Sequence, residues 1–263
     1  MLAERYDCIL FDLDGVLYRG GEGVPGAPET LARLRAAGVR VAFLTNNSSR
    51  TPEQVAAKLA GLGIAAAASE VVTSALATAD LLASRGGGTA FVIGGEGTRR
   101  ALADAGIRIL DGEPDRADLV VVGIDEGLTY ASLRRACLLV RAGARLVATN
   151  VDPTFPAEGG ALWPGAGALV AAISTATDVE PEVVGKPFAP LFEAARARAG
   201  GGTPLVVGDR LDTDIAGAAA LGWDSMLVLT GVSTRGELAV SDVRPTYVAE
   251  DVRALLEEGE AQK

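Results

Sequence analysis

The stretch CILFDLDG, residues 8–15, runs an apolar tetrad straight into two aspartates one residue apart and then a glycine. A short apolar run without alternation suits a strand covered on both faces. Runs of the same kind recur at 39–44 (VRVAFL), 90–93 (AFVI), 119–122 (LVVV), 145–148 (RLVA), 204–207 (PLVV) and 226–229 (MLVL). Between them lie stretches of helical period at 28–37, 52–62, 75–84, 129–142, 165–176, 190–199 and 213–221. Pro28, Pro52 and Pro190 stand near helix starts, where a missing N–H is harmless, and Gly38, Gly63, Gly143 and Gly222 follow helix ends. Doubly covered strands alternating with helices predict an α/β fold, a parallel sheet with helices on both faces. The small-residue patch IAAAAS, 64–69, reads as a helix-to-strand connection.

Ligands of such sheets gather beyond the carboxyl ends of the strands. Three of those ends carry polar chemistry. After 8–11 comes DLDG, with Asp12, Asp14 and Gly15; after 39–44 comes TNNSSR, with Thr45, Asn46 and Asn47; after 204–207 comes GDRLDTD, with Asp209 and Asp214. Alternate residues of an extended chain point the same way, so Asp12 and Asp14 are expected to face one small volume, where a hard cation can hold them. Gly15 is expected to let backbone N–H groups curl toward an anion. Asp209 follows a strand end directly and is expected to be a metal ligand, with Asp214 acting through metal-bound water. Asp212 is expected only to cap the helix that starts there. Lys186, in VGKP, is one of only three lysines, with Lys58 and Lys263, and is assigned a buried cationic role.

Composition removes several kinds of chemistry. The chain has 263 residues and no histidine, so Ser-His-Asp and Cys-His catalysis and His-ligated zinc are excluded. With 24 Lys+Arg against 34 Asp+Glu the net charge is −10, which argues against nucleic acid or an anionic membrane as partner. No apolar segment long enough to span a bilayer and no secretory leader is visible, and Cys8 and Cys137 stand far apart. A cytoplasmic location with reduced thiols is expected, and homo-oligomerisation is left open.

The charges then narrow the reaction. Asp12, Asp14, Asp209 and Asp214 bring about −4 when ionised, and a phosphomonoester adds roughly −1.5 to −2. Such a site needs positive charge: Lys186 gives one, a divalent cation gives two, and a proton on Asp14 removes one more negative. Ligands that are all oxygen point to Mg²⁺ rather than zinc.

Together DLDGVLYRG, TNN, GKP and GDRLDTD resemble the haloacid dehalogenase superfamily, more narrowly its p-nitrophenylphosphatase-like and phosphoglycolate phosphatase-like branch. The resemblance covers essentially the whole chain in the family's motif order; DxDG with GDxxxTD is specific, and any one motif alone is weak. It implies a Rossmann-like core, Asp12 as the nucleophile that becomes an aspartyl-phosphate, and Asp14 as the acid and base. It also implies Thr45 and Asn46 on the phosphoryl oxygens and Lys186 pairing with Asp12 and phosphate. Mg²⁺ would lie on Asp12, the Asp14 carbonyl and Asp209. An acid at Asp14 favours phosphate esters over C–halogen bonds, because an alkoxide leaving group needs a proton and a halide does not.

The gap between Thr45 and Lys186 is far longer than one helix requires. An inserted α/β cap is therefore placed at 77–182, between core parts 1–76 and 183–263. Inside it, GGEGTRRAL (94–102) fails the dinucleotide pattern GxGxxG. The turn-rich stretch 148–167 is expected to set substrate choice, with Asn150, Asp152, Phe155 and Trp163 as its contact residues. The expected function is Mg²⁺-dependent hydrolysis of small phosphorylated metabolites: sugar phosphates, glycerol phosphate, phosphoglycolate or nucleoside monophosphates. A phosphotransferase or mutase using the same intermediate, and a non-catalytic phosphometabolite-binding protein, are the rival readings.

Overall fold

The computed structural model describes residues 1–156 and 161–257. It divides into two compact units. The first comprises Met1–Thr45, Pro52–Val72 and the chain from Lys186 onward; the second comprises Asn46–Thr51 and Thr73–Gly185. In chain order the first part holds β1 (Cys8–Phe11), the hairpin β2 (Tyr18–Arg19) and β3 (Glu22–Gly23), α1 (Ala27–Ala36), β4 (Arg40–Thr45), α2 (Pro52–Gly61) and β5 (Val71–Thr73). The insertion follows with α3 (Ser74–Ser84), β6 (Thr89–Ile93), α4 (Glu96–Asp104), β7 (Arg108–Leu110), β8 (Leu119–Val122) and α5 (Tyr130–Arg141). It continues with β9 (Arg145–Ala148), β10 (Thr154–Pro156), β11 (Leu162–Pro164), α6 (Ala166–Thr177) and β12 (Glu182–Val183). The chain returns through α7 (Ala189–Arg198), β13 (Pro204–Gly208), α8 (Ala216–Ala220), β14 (Asp224–Val228), α9 (Arg235–Val240) and β15 (Tyr247–Ala249).

The core sheet has the strand order β15-β14-β13-β1-β4-β5, and β1 pairs in parallel with both β13 and β4. Every residue of β1 and β13 is buried, as continuous apolar strands covered on both faces require. Phe11 and Phe43, on neighbouring strands, sit at the centre of this core with ring centroids 6.3 Å apart. The inserted unit has its own parallel sheet, β12-β9-β8-β6-β7, and its own core of residues such as Ile93, Val120, Leu139 and Ile173. The expected α/β architecture, with a parallel core sheet and an inserted smaller α/β unit, is what the chain adopts.

Two details differ from the sequence reading. The insertion runs Thr73–Gly185 rather than 77–182, and it takes in Asn46–Thr51 as well. Hydrogen bonds explain the second point: the Asn46 carbonyl accepts from Ser74 Oγ (2.6 Å) and Asn150 Nδ2 (2.7 Å), and the Ser48 and Ser49 carbonyls accept from Thr98 Oγ1 and Gly97 N. The helix expected at 213–221 begins instead as a π-helical turn, Leu211–Ile215, before the short α8. Among the described residues no helix is long and apolar enough to cross a membrane.

Candidate active site

The register of the core sheet sets the site. Phe11 is level with Phe43 on β4 and Val207 on β13, so Asp12, Thr45 and Asp209 all emerge at the same carboxyl edge. Asp12 keeps the sheet pattern for one more residue, its N–H donating to the Val207 carbonyl at 2.8 Å. The π-helical turn then brings Asp214 back under the strand end, with Arg210 N–H donating to Asp214 Oδ2 at 3.1 Å. Lys186 enters just before α7 and closes the group. Its Nζ donates to Asp12 Oδ1 at 2.6 Å and to Asp214 Oδ1 at 2.7 Å, and the residue is 3% exposed.

Carboxylate oxygens of Asp12, Asp209 and Asp214 lie within 4.8 Å of one another, all three residues buried. Three acids around one ammonium leave the group two charges negative when ionised, in a place with little water to screen them. The titration of Asp209, Asp214 and Lys186 reflects this. Burial, then the Asp12 and Asp214 charges, push Asp209 up to about 8. Burial likewise raises Asp214, against the pull of Lys186. For Lys186 burial alone would lower the ammonium, but Asp12 and Asp214 overcome it and hold the group above its ordinary range.

Asp209 shows what the group lacks. Its Oδ2 accepts from Val232 N–H at 2.7 Å, while its Oδ1, fully buried, has no hydrogen-bond partner among the described residues. An orphaned carboxylate oxygen within reach of two further carboxylates fits a hard divalent cation, and an all-oxygen donor set without Cys or His fits Mg²⁺. Space for Asp209 is cleared by two glycines. A Cβ on Gly15, whose φ is +84°, would lie 2.4 Å from Asp209 Oδ2, and one on Gly231 would lie 1.9 Å from it.

Asp14 and Gly15 depart from expectation. The Asp14 carboxylate is not among the clustered acids and its side chain is exposed. Strand alternation does not reach it, because β1 ends at Phe11 and the chain turns at Gly15–Leu17, bridging Asp14 to Tyr18. The Gly15 N–H closes that turn onto the Tyr18 carbonyl at 2.7 Å, so the glycine supplies clearance and a left-handed turn rather than a free donor. The protein packed around Asp14 still raises its carboxyl, opposed by the Lys58 charge and the N–H groups of Gly20 and Gly15. Lys58, on α2, lies with Nζ 3.5 Å from the Tyr18 ring centroid. Asp212, expected to cap a helix, stays outside the cluster and pairs with Arg210 at 2.7 Å instead.

Thr45 is buried at the end of β4. Within the inserted unit, Asn46 Nδ2 donates to Asp152 Oδ2 at 3.0 Å. Asn47 folds on itself, its Oδ1 accepting from Ser49 N–H and Oγ. Asn150 is 1% exposed, its Nδ2 donating to the Asn46 carbonyl and its Oδ1 accepting from Asp152 N–H at 3.1 Å. The Asn47 Oδ1 and the Asn150 amide thus build turns. Phe155 is half-buried on β10 and meets Trp163 of β11 edge-on, centroids 6.0 Å apart. Residues 157–160 of the 148–167 stretch lie outside the described residues. Sequence reading missed the loop after β14. There Thr230 Oγ1 holds the Gly15 carbonyl at 2.6 Å, and Ser233 holds the 209–211 backbone. That loop also follows a strand end, which was the signal available for finding it.

Residues 9–108 match the haloacid dehalogenase-like hydrolases and residues 183–255 match a second segment of the same kind, HAD-hydrolase-like. The chain belongs to this family. It is 43% identical to a D-glycerol 3-phosphate phosphatase of Mycobacterium tuberculosis over 97% of this chain and 72% of that protein. It is 40% identical to an acid sugar phosphatase of Staphylococcus saprophyticus over 97% and 98%. A glycerol phosphate phosphatase from Mycobacterium tuberculosis, crystallised with magnesium, superposes with a TM-score of 0.91 over 97% of this chain and 77% of that one, at 43% identity.

Proposed function

We propose that this chain is a Mg²⁺-dependent phosphatase of small phosphorylated metabolites, working through an aspartyl-phosphate on Asp12. The observation that carries the reading is the arrangement around Lys186. One buried ammonium bridges Asp12 and Asp214, beside Asp209 with its partnerless oxygen. Asp12, Asp209 and the Asp14 carbonyl would hold the cation, with Asp214 beyond them. When bound, Mg²⁺ supplies positive charge that offsets the carboxylates and the phosphoryl oxygens.

The chain's own groups then divide the work. Lys186 holds one Asp12 oxygen, leaving the other to attack phosphorus. As the ester P–O bond breaks, the Asp14 carboxyl gives its proton to the departing alkoxide. The packing around Asp14 that raises its carboxyl favours the protonated form this step needs. Asp14, now a carboxylate, takes a proton from the water that attacks the aspartyl-phosphate, releasing inorganic phosphate and restoring both aspartates. Thr45 and Asn46 are assigned to the phosphoryl oxygens. Phe155 is assigned to substrate choice, within the inserted unit's aromatic hairpin. Two free cysteines, one of them buried, support a cytoplasmic location.

The test is hydrolysis of p-nitrophenyl phosphate, then of a panel of phosphorylated polyols, sugars and nucleosides, each with Mg²⁺ and with EDTA. Release of inorganic phosphate that stops in EDTA is expected. A phosphorylated acceptor in place of free phosphate would mark a phosphotransferase. Calorimetric binding with no turnover on any substrate would mark a binding protein and end the enzymatic reading.

A further inference from the structure

The inserted unit carries a second concentration of charge at the opposite end of its own sheet. β6 begins at Thr89, β7 at Arg108 and β9 at Arg145, and Asp118 immediately precedes β8. These strand starts, with Arg116 from the loop before β8, line an open groove of about 730 Å³. That volume is in the range of small-molecule sites.

The three arginines bring more positive charge to the groove than its single carboxylate, Asp118, can balance. Several other arginines of the unit are matched to acids: Arg85 with Glu182 at 2.5 Å, Arg99 with Asp111 at 3.0 Å, Arg134 with Glu113 at 3.2 Å. The guanidiniums of Arg108, Arg116 and Arg145 make no hydrogen bond and no ion pair among the described residues, and all three residues are exposed. The one carboxylate in the groove, Asp118, feels the charges of Arg108 and Arg145 without a close ion pair, and its Oδ2 accepts from both Thr89 N–H and Thr89 Oγ1 at 2.7 Å. In a chain of net charge −10, three arginines around a single carboxylate are a local reversal of sign.

We propose that this groove binds a small molecule bearing two or more phosphate groups. Guanidinium forks match phosphate oxygens in pairs. Forks from three separate segments of one open groove suit a ligand that carries phosphate at more than one place. The proposal does not rest on the phosphatase reading, because it uses none of the aspartate cluster.

Inorganic pyrophosphate is the probe, titrated calorimetrically into the full chain, with inorganic phosphate as the single-phosphate control. Pyrophosphate is expected to bind more tightly than phosphate, and the double variant Arg108→Ala/Arg145→Ala to weaken it by about tenfold or more, with p-nitrophenyl phosphate turnover unchanged. Amide hydrogen exchange separates this groove from the core: pyrophosphate should protect 89–90, 108–118 and 142–145 in the wild type and not in the variant. Protection confined to the segments around Asp12 and Asp209 would overturn the proposal. So would a double variant with a lower Tm but an unaltered pyrophosphate titration, because the arginines would then serve only the nearby carboxyl end of α5. Arg108→Lys/Arg145→Lys, which keeps the charge and loses the fork, is expected to fall between the two.

Discussion

The two parallel sheets of this chain obey the same construction rules and end differently. At the carboxyl edge of the core sheet, the ionisable groups of Asp12, Asp209, Asp214 and Lys186 are buried together, and one oxygen of Asp209 is left without a partner among the described residues. At the corresponding edge of the inserted sheet, Asn150 follows β9 buried just as deeply, yet it is neutral and both ends of its amide are used. Buried polarity that is fully consumed is architecture. Buried charge that is left incomplete costs stability by itself and is explained by something it binds.

The strongest way to break this contrast is Asp12→Asn. The amide keeps the shape of the side chain and cannot attack phosphorus, so turnover should fall on the order of 10⁴-fold or more in a phosphate-release assay. Folding should survive, because the change removes one of three mutually repelling charges. Turnover near the wild-type rate would take the nucleophile away from Asp12 and with it the meaning of the cluster.

Lys186→Met comes next and is a statement about stability. It strips the only ammonium from two buried carboxylates, a change that typically costs about 3–5 kcal/mol. In EDTA the Tm should drop by several degrees, and adding Asp214→Asn should restore part of the loss because one stranded charge is then gone. A Lys186→Met protein as stable as the wild type would mean that the carboxylates are already protonated around it.

How far the site was legible follows from the same contrast. Asp12, Asp209, Asp214 and Lys186 could be read from the sequence because each follows or flanks a strand end, and β1, β8 and β13 could be read because they are apolar throughout. The direction of Asp14 could not. It depends on a turn whose glycine is required by the remote carboxylate of Asp209. Nor could the allegiance of Asn46–Thr51, which is decided by hydrogen bonds from Ser74, Asn150 and Gly97, far along the chain. Three-residue strands such as β5 and β15 are too short to show a period.

The pH dependence of stability sharpens the comparison further. Asp209 and Asp214 both titrate higher in the folded chain than in the unfolded one, Asp209 at about 8. Between the ordinary carboxylate range and pH 8 the folded chain therefore holds protons that the unfolded chain does not. Their contribution is intact at low pH and is lost as pH rises through these folded values. In EDTA, Tm should fall from about pH 5 to pH 8. With Mg²⁺ the fall should shrink or reverse, since the ion takes the place of the proton and stabilises by mass action. Asp209→Asn should flatten the slope in EDTA and remove most of the Mg²⁺ response; identical profiles with and without Mg²⁺ would argue that no cation is held there.

The smallest effect tests the inserted side of the contrast. Asn150→Ala withdraws the donor to the Asn46 carbonyl and the acceptor for Asp152 N–H, in a buried place, which should cost about 1–3 kcal/mol. Ser74 still holds the Asn46 carbonyl, so the lower part of that range is expected. If the amide is architecture, Tm falls and kcat/KM shifts alike for p-nitrophenyl phosphate and for phosphorylated polyols. If the amide instead leaves its internal partners to meet substrate, KM should rise for polyol phosphates, which offer hydroxyls to bind. It should stay put for the nitrophenyl ester, which does not. That split, with Tm little changed, would move Asn150 from the consumed class to the incomplete one.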